Sequence, residues 1–387
     1  MDKNYYRVRA DIDLDALRTN IINIKKGLKD GTKVCAVIKA DAYGHGAVKS
    51  AHAINDIVDF YAVAAIEEAL ELKKNKIKKP VLILGLIDKS AYKDAILKGI
   101  RMTVSDYKSA VDISKAAKEA GKKAVVHIKL NTGMNRIGFR PDENSLQEIL
   151  KINSLEGIEI EGIFTHLFNA DDKTIISAEK QIAVFEEFCR KLDDEGVRIK
   201  IRHCSNSAAA TRISHANFDM VRLGISMYGL YPSQYVDEIK LKPVMSLVSK
   251  IAFLKEIEKG ETIGYGATFK AKGSMKIATV PVGYADGYMR NLSNKGFVLI
   301  HGMKCNIVGR VCMDQLMVDV SDCKYAKLNE PVVLIGKSGR ETITMEEISN
   351  LAGSFNYEFA CNINKRVPRF YYQDKELICV RDYFGWH

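Results

Sequence analysis

Eight short apolar runs, separated by stretches of helical periodicity, constrain this chain more than any other feature. They are KVCAVIK from Lys33, FYAVAA from Phe60, PVLILG from Pro80, IRMTV from Ile100, KAVVHIKL from Lys123, IEGIFT from Ile160, IKIRHC from Ile199 and MVRLG from Met220. Short apolar runs alternating with amphipathic segments are the pattern of a parallel βα protein. Eight is the number that closes a (β/α)8 TIM barrel. Between Ser105 and Gly121, Ala110, Ile113, Ala117 and Ala120 recur at helical spacing, with Ser105 placed to cap that helix and Gly121 to end it. After Gly46, Ala47, Ala51, Ile54 and Val58 form a similar stripe.

From about Leu241 the texture changes. VMSLVSKIAFL, MKIATVPV, FVLIHG, CNIVGRV, LMVDV and PVVLIG are rich in β-branched residues and punctuated by Gly, Asn or Asp, with one helical stretch, MEEISNLAG from Met345. The expected fold class is therefore α/β: an N-terminal (β/α)8 barrel over residues 1–240 and a C-terminal mostly β-strand domain over 241–387. A chain of 387 residues is too long for one small core, which agrees with two domains.

Bulk properties exclude several classes of function. No apolar run approaches the ~20 residues of a membrane span. The start, MDKNYYRVRADIDL, has no signal-peptide block, so a cytoplasmic location is expected. The formal charge of +10 is spread among 48 acidic residues, which argues against nucleic acid. The densest basic cluster, Lys73 to Pro80, reads as a solvated helix end. A basic balance still suits anionic small molecules. The eight cysteines form no CxxC and read as reduced, mostly buried thiols. The histidines show no HExxH, so no metal is expected.

Barrel chemistry gathers where strands end, and the conspicuous polar residues obey that rule. Lys39, Lys129, His166 and Arg222 close apolar runs, Ser207 follows the seventh and Gly224 the eighth. Lys39 alone has two readings: a surface lysine closing a strand, or a desolvated amine poised as a Schiff-base nucleophile. NSAAATR from Asn206 and RLGISMYG from Arg222 bring a serine and backbone N–H groups near a helix start, an environment suited to phosphate. An amine for an aldehyde, together with a phosphate site, suggests pyridoxal phosphate.

AVIKADAYGHG, KLNTGMNRIGF, FTHLFNAD, NSAAA, RLGISMYGLYP, IGYGATF, VPVGYADGY, VGRVCMDQLMVDV and NYEFACNINKRVPR together resemble the alanine racemases. The resemblance runs in family order from the first apolar run almost to the C-terminus. It implies a barrel followed by a β domain that the first ten or so residues join. It further implies pyridoxal 5'-phosphate on Lys39, with its phosphate held by Tyr43, Ser207, the amides of Gly224 and Ile225, and Tyr357. By the same resemblance Arg222 faces the pyridine nitrogen. Arg136 lies near the cofactor's phenolate oxygen and the substrate carboxylate. His166 joins Arg222 to a catalytic tyrosine, Tyr265, and the backbone of Met313 helps bind substrate. Tyr265 and Met313 come from the second subunit of a homodimer.

Such a site implies two bases, Lys39 and Tyr265, on opposite faces of the substrate. The ordinary tyrosine value of ~10 is high for that task, and nearby cations would lower it. Arg222 can only donate to a ring nitrogen, which argues against the decarboxylases of similar architecture, where a glutamate is expected. Taken singly, Tyr265 also reads as a packed tyrosine, Arg136 as a surface ion-pair partner and His166 as a core histidine. The chain departs from the usual pattern at Asn131, which replaces Asp, at Asn135, which replaces Gly, and at the bulky Phe168. Lys129 matches a lysine that is carbamylated in some members. The expected activity is alanine racemisation supplying D-alanine for peptidoglycan. Tyr357, crowding the substrate side chain, favours a methyl-sized pocket. Alternatives are a serine or broad-specificity racemase and a non-catalytic pyridoxal-phosphate carrier, the latter disfavoured by Tyr265 and the β domain.

Overall fold

The computed structural model describes residues 6–386 and divides them into two compact units. One comprises Arg18–Ala42 and Ala47–Leu241; the other takes the chain up to Leu17, Tyr43–Gly46 and everything from Lys242. The first strand, β1 (Val8–Asp13), belongs to the second unit. The expectation that the N-terminal residues join the β unit extends to residues 1–5, which lie outside the described residues.

All eight apolar runs are strands of the first unit. They are β2 (Lys33–Val37), β3 (Phe60–Val63), β4 (Val81–Ile83), β5 (Arg101–Val104), β6 (Ala124–Lys129), β7 (Ile158–Phe164), β8 (Ile201–His203) and β9 (Met220–Leu223). They pair in parallel in the order β8-β7-β6-β5-β4-β3-β2-β9. The two edges meet through Asp219 N–H to Arg202 O (3.1 Å) and Arg222 N–H to Ser205 O (3.0 Å), so the barrel nearly closes. The main helices are α1 (Leu14–Lys25), α2 (Ala47–Ile54), α3 (Ile66–Lys74), α4 (Tyr92–Leu97), α5 (Tyr107–Ala120), α6 (Glu143–Asn153), α7 (Ile176–Asp194) and α8 (Ser207–Arg212).

Local chemistry explains the boundaries. Asp106, not Ser105, caps α5: its carboxylate accepts from Ser109 N at 2.7 Å, the third-residue N–H that a cap must reach. Gly121 ends the helix at φ +61°, as expected. Helix α2 stops at Ile54, so buried Val58 lies beyond it rather than on its stripe. The basic cluster does follow the end of α3, but it is not simply solvated. Lys73 Nζ donates to Lys79 O at 2.9 Å, Lys79 reaches Val58 O, and burial lowers the Lys73 pKa.

The second unit is mostly β. Its strands are β10 (Met245–Lys250), β11 (Phe253–Ile257), β12 (Thr262–Ile263), β13 (Phe269–Lys270), β14 (Met275–Val280), β15 (Phe297–Ile300), β16 (Met303–Asn306), β17 (Leu316–Asp319), β18 (Pro331–Ser338), β19 (Glu341–Ile343), β20 (Arg369–Gln373), β21 (Glu376–Asp382) and β22 (Gly385–Trp386). The large sheet runs β16-β15-β18-β10-β1-β20-β21-β22, with β19 on β18; β11-β14-β17 and β12-β13 form two smaller sheets. Ile257, Ile263, Ala271, Ile277 and Val308 pack together over the smaller sheets, with Phe269, Met275 and Met317 at their margin. The run CNIVGRV is strand only as far as Asn306, after which Ile307 makes a single bridge to Val318. Helix α9 (Met345–Leu351) is the expected one, and α10 (Asn356–Asn362) carries Tyr357. Among the described residues no helix is long and apolar enough to cross a membrane.

Candidate active site

The C-terminal ends of parallel strands share one rim, and the rim of this barrel is cationic. Lys129 ends β6, Arg222 lies in β9, and Lys39 and His166 stand two residues beyond β2 and β7. Arg136 is on the loop between β6 and α6. Burial pushes the His166 imidazole down to about 3, helped by the charges of Arg222, Arg136, Lys129 and Lys39, so it is neutral. Among the described residues, Lys129, Arg136 and Arg222 have no carboxylate partner. The rim therefore concentrates positive charge beside an uncharged imidazole.

The backbone after Lys39 holds the longest run of positive-φ non-glycine residues among the described residues. Ala40, Asp41, Ala42 and Tyr43 have φ of +52°, +51°, +56° and +52°, a left-handed turn without a glycine. Each such residue costs about 1–2 kcal/mol, and sets of four persist only where the surroundings over-determine them. Here Glu68 accepts from Ala40 N at 2.5 Å, and Asp41 accepts from Ala47 N at 2.8 Å. Within the second unit, the next residues are held by backbone contact. A Cβ on Gly44 would lie 2.2 Å from Ala360 O, and one on Gly46 would lie 1.9 Å from the Tyr371 hydroxyl oxygen. The GHG that follows Tyr43 is thus a requirement of close approach, and Arg369 Nε donates to Gly44 O at 3.1 Å.

Arg222 is buried and almost fully engaged. Its Nη1 donates to His203 Nδ1 and His203 O, both at 3.0 Å. Its Nη2 donates to Thr165 O (2.8 Å) and Cys204 O (3.0 Å) and lies 3.4 Å from His166 Nδ1. Nε–H has no acceptor among the described residues. Burial lowers the guanidinium to about 10, so it keeps its proton at neutral pH. Lys129 is 3% exposed, donates to Leu130 O at 2.6 Å and lies over the Phe164 ring. Burial, with Arg222 and Arg136, pushes its ammonium down to about 7.

Ser207 and Gly224 come together as expected. Gly224 N–H donates to Ser207 Oγ at 2.8 Å and Ser226 N–H lies at 3.4 Å, leaving the hydroxyl proton to donate elsewhere. The buried Ile225 adds an N–H with no acceptor among the described residues. In the second unit, Tyr43 and Tyr357 meet edge to face with ring centroids 6.2 Å apart. Tyr265 is 73% exposed and Met313 52%. Met313 O accepts from Ala285 N at 3.0 Å, while its own N–H has no acceptor among the described residues.

Four residues inside the barrel were not anticipated. His203 Nε2 lies 2.9 Å from His127 Nδ1, His127 Nε2 lies 3.1 Å from Glu161 Oε2, and Glu161 accepts from Arg101 Nε and Nη2 at 3.1 and 3.2 Å. One signal was available: on β6 the period of two puts His127 on the same face as Lys129.

These donors fit pyridoxal phosphate. The unengaged Arg222 Nε–H suits a ring-nitrogen lone pair, the Ser207 hydroxyl and Ile225 N–H suit phosphate, and the cationic rim suits a phenolate and a carboxylate. Lys39 supplies the amine that would hold its aldehyde carbon.

Comparison with known proteins gives the same direction over the whole chain. Residues 12–232 match the alanine racemase N-terminal domain family and residues 244–371 the C-terminal domain family. An alanine racemase of Clostridium tetani is 43% identical over 99% of this chain and 100% of its own. The alanine racemase structure from Clostridium difficile 630 superposes with a TM-score of 0.94 at 44% identity, covering 98% of this chain and 99% of that one. The Bacillus anthracis alanine racemase structure with bound L-Ala-P gives a TM-score of 0.93 at 35% identity, covering 98% of each chain.

Proposed function

The chain belongs to the alanine racemase family, and on that premise we propose that it interconverts L-alanine and D-alanine with two bases and pyridoxal 5'-phosphate. The observation that carries this reading is the barrel rim, where Lys39, Lys129, Arg136 and Arg222 surround a neutral His166. Lys39 anchors the cofactor. Tyr43, Ser207, the amides of Gly224 and Ile225, and Tyr357 hold its phosphate. Arg222 donates Nε–H to its ring nitrogen, and Arg136 with the Met313 N–H receives the substrate carboxylate.

Bound there, pyridoxal phosphate supplies an electron sink that makes the substrate Cα–H acidic. Lys39 Nζ would take or return the proton on one face of Cα. Tyr265 Oη does so on the other, so one proton leaves and one arrives in each inversion. Arg222 keeps its own proton throughout, which limits its role to hydrogen-bond donation. His166, neutral and 3.4 Å from Arg222 Nη2, extends that network toward Tyr265.

The high exposure of Tyr265 and Met313 supports a homodimer in which each protomer completes its neighbour's site. Lys129 suits carbamylation: an ammonium pushed down to about 7 is largely a free amine at pH 8. That amine adds to the carbon of CO2 and loses one proton to water, leaving an anion that would orient Arg136. The product D-alanine would serve peptidoglycan synthesis in the cytoplasm.

Borohydride reduction of the holoenzyme followed by peptide mapping tests the anchor. The reduced label is expected on Lys39, and its recovery on another lysine overturns the assignment. Chiral chromatography after incubation with a panel of L-amino acids should show alanine racemised fastest. A preference for serine would replace this reading with a broader racemase.

A further inference from the structure

The column of polar side chains beneath Arg222 has one consistent set of proton positions. A guanidinium only donates, so His203 Nδ1, 3.0 Å from Arg222 Nη1, carries a lone pair. The proton of His203 is then on Nε2 and is donated to His127 Nδ1 at 2.9 Å. That leaves the proton of His127 on Nε2, donated to Glu161 Oε2 at 3.1 Å. Glu161, a carboxylate, only accepts, and Arg101 anchors it with two donors. Donors and acceptors at the two ends thus dictate both tautomers between them.

The column threads the lumen. Arg101 on β5 reaches Glu161 on β7, and Arg101 also covers Phe60 on β3 at 5.9 Å. None of these strands are neighbours in the sheet, so the residues meet only across the interior. Phe164 stacks on His203 with centroids 4.9 Å apart, and Phe60 presents its edge to His127. Space for the pair is built in: a Cβ on Gly162 would lie 2.5 Å from His127 Nδ1. Burial lowers the pKa of both imidazoles, so both are neutral.

Barrel interiors are ordinarily filled with Val, Ile and Leu, and a column of two histidines and an ion pair is a costly substitute. Packing alone does not require it, since three carbonyls already hold Arg222. We infer that Glu161 and His127 are positioning residues for racemisation: by accepting the His203 Nε2–H along a fixed line they set the orientation of that ring, so that Arg222 is held from behind with its Nε–H directed to the cofactor. This inference rests on the proposed placement of Arg222 at the ring nitrogen.

The test compares wild type, Glu161→Gln and the double variant Arg101→Leu/Glu161→Leu, which leaves no lone charge in the lumen. In apoprotein labelled with 15N-histidine, His127 and His203 of the wild type should each show a single Nε2–H tautomer. In the double variant His203, still facing the guanidinium, should keep that tautomer, while the His127 Nε2–H, left without its acceptor, should give a shifted and broadened resonance. Glu161→Gln, which keeps a carbonyl acceptor, should restore the wild-type resonance. In the holoenzyme, kcat of the double variant should fall about tenfold with KM nearly unchanged, as when outer hydrogen-bond partners of a ligand-holding side chain are lost. The pH dependence of the cofactor absorption band should shift with it. An unchanged His127 Nε2–H resonance in the double variant overturns the relay. A changed resonance with wild-type kcat and an unmoved band overturns the positioning role. An absorption band unmoved by Arg222→Lys overturns instead the placement of Arg222 at the ring nitrogen, whatever the His127 resonance does.

Discussion

Asp286 in the second unit and Arg222 in the barrel are both buried ions, but their charges are balanced differently. The Asp286 carboxylate, with no exposed side-chain surface, accepts from Arg7 Nη1 and Arg366 Nε at 2.8 Å and from Gly283 N at 3.0 Å. Burial alone would raise its pKa, yet Arg7 and Arg366 outweigh it and hold the group below the usual carboxylate range. Arg222 meets only neutral acceptors: three carbonyls and two imidazole nitrogens. A buried ion with its counter-ions in place is self-contained. One surrounded by neutral acceptors is suited to a ligand that brings the missing polarity, and the two cases predict opposite behaviour on mutation.

The largest expected effect is therefore a split between stability and turnover. Asp286→Ala should lower unfolding free energy by about 3–5 kcal/mol, the usual cost of stripping one partner from a buried ion pair. Arg222→Met should change stability by less than that, because it removes a buried charge together with its desolvation penalty. Turnover should instead fall at least 10²-fold, the order seen when a preorganised donor is removed from an active site. Urea unfolding and steady-state rates on the two variants decide the matter. Equal destabilisation by both would erase the distinction between the regions.

Acid separates the regions further. His127, His166 and His203 titrate below the ordinary histidine value in the folded chain, so below about 6.5 the unfolded chain binds more protons and stability falls with pH. For His166 the window runs from 6.5 down to about 3. Asp286 acts lower: its contribution is present above the ordinary aspartate value of about 3.9 and is lost as pH falls through its depressed folded value. Between pH 6 and 4.5 the apoprotein should thus lose stability through the barrel histidines while the Asp286 cluster holds. His166→Asn should flatten that slope by up to one proton, about 1.4 kcal/mol per pH unit. An unchanged slope would mean that His166 is already accessible to protons in the folded state.

The same contrast explains what the sequence made legible. Every barrel strand was readable because its run is apolar and its boundaries are marked. Lys39, Lys129, His166 and Arg222 stood out as polar ends of those runs. The lumen column did not, because His127, Glu161 and His203 sit inside apolar runs and their partners lie 34 and 76 positions away. The left-handed turn after Lys39 was equally hidden, since Ala-Asp-Ala-Tyr contains no glycine or asparagine and its single Asp does not signal four successive positive-φ residues. In the second unit, β21 is exposed or half-buried throughout and gave no clear run, and β20 opens with the buried Arg369, Phe370 and Tyr371, only two of them apolar.

The smallest effects should come from the loop that carries Arg136, where three departures from the family pattern prove to be neighbours. Asn135 has φ +55°, the conformation a glycine would take there, and Asn is the non-glycine residue that tolerates it best. Asn131 supports it: its Oδ1 accepts from Gly133 N (3.2 Å) and Asn135 N (2.9 Å), and its Nδ2 donates to Asn135 Oδ1 at 3.1 Å. Phe168 lies over the same loop, 3.2 Å from where a Cβ on Gly133 would stand, and Gln181 accepts from Phe168 N at 3.1 Å. Asn135→Gly should change stability by less than about 0.5 kcal/mol, because the lost side-chain bond is offset by glycine's ease at positive φ. Asn135→Ala should cost about 1–2 kcal/mol, because alanine has neither the bond nor the freedom. If the loop serves to aim Arg136, KM for alanine should rise in Asn135→Ala and stay near wild type in Asn135→Gly. An Asn135→Gly variant as impaired as Asn135→Ala would show that the amide side chain, rather than the backbone conformation, is what holds Arg136 in place.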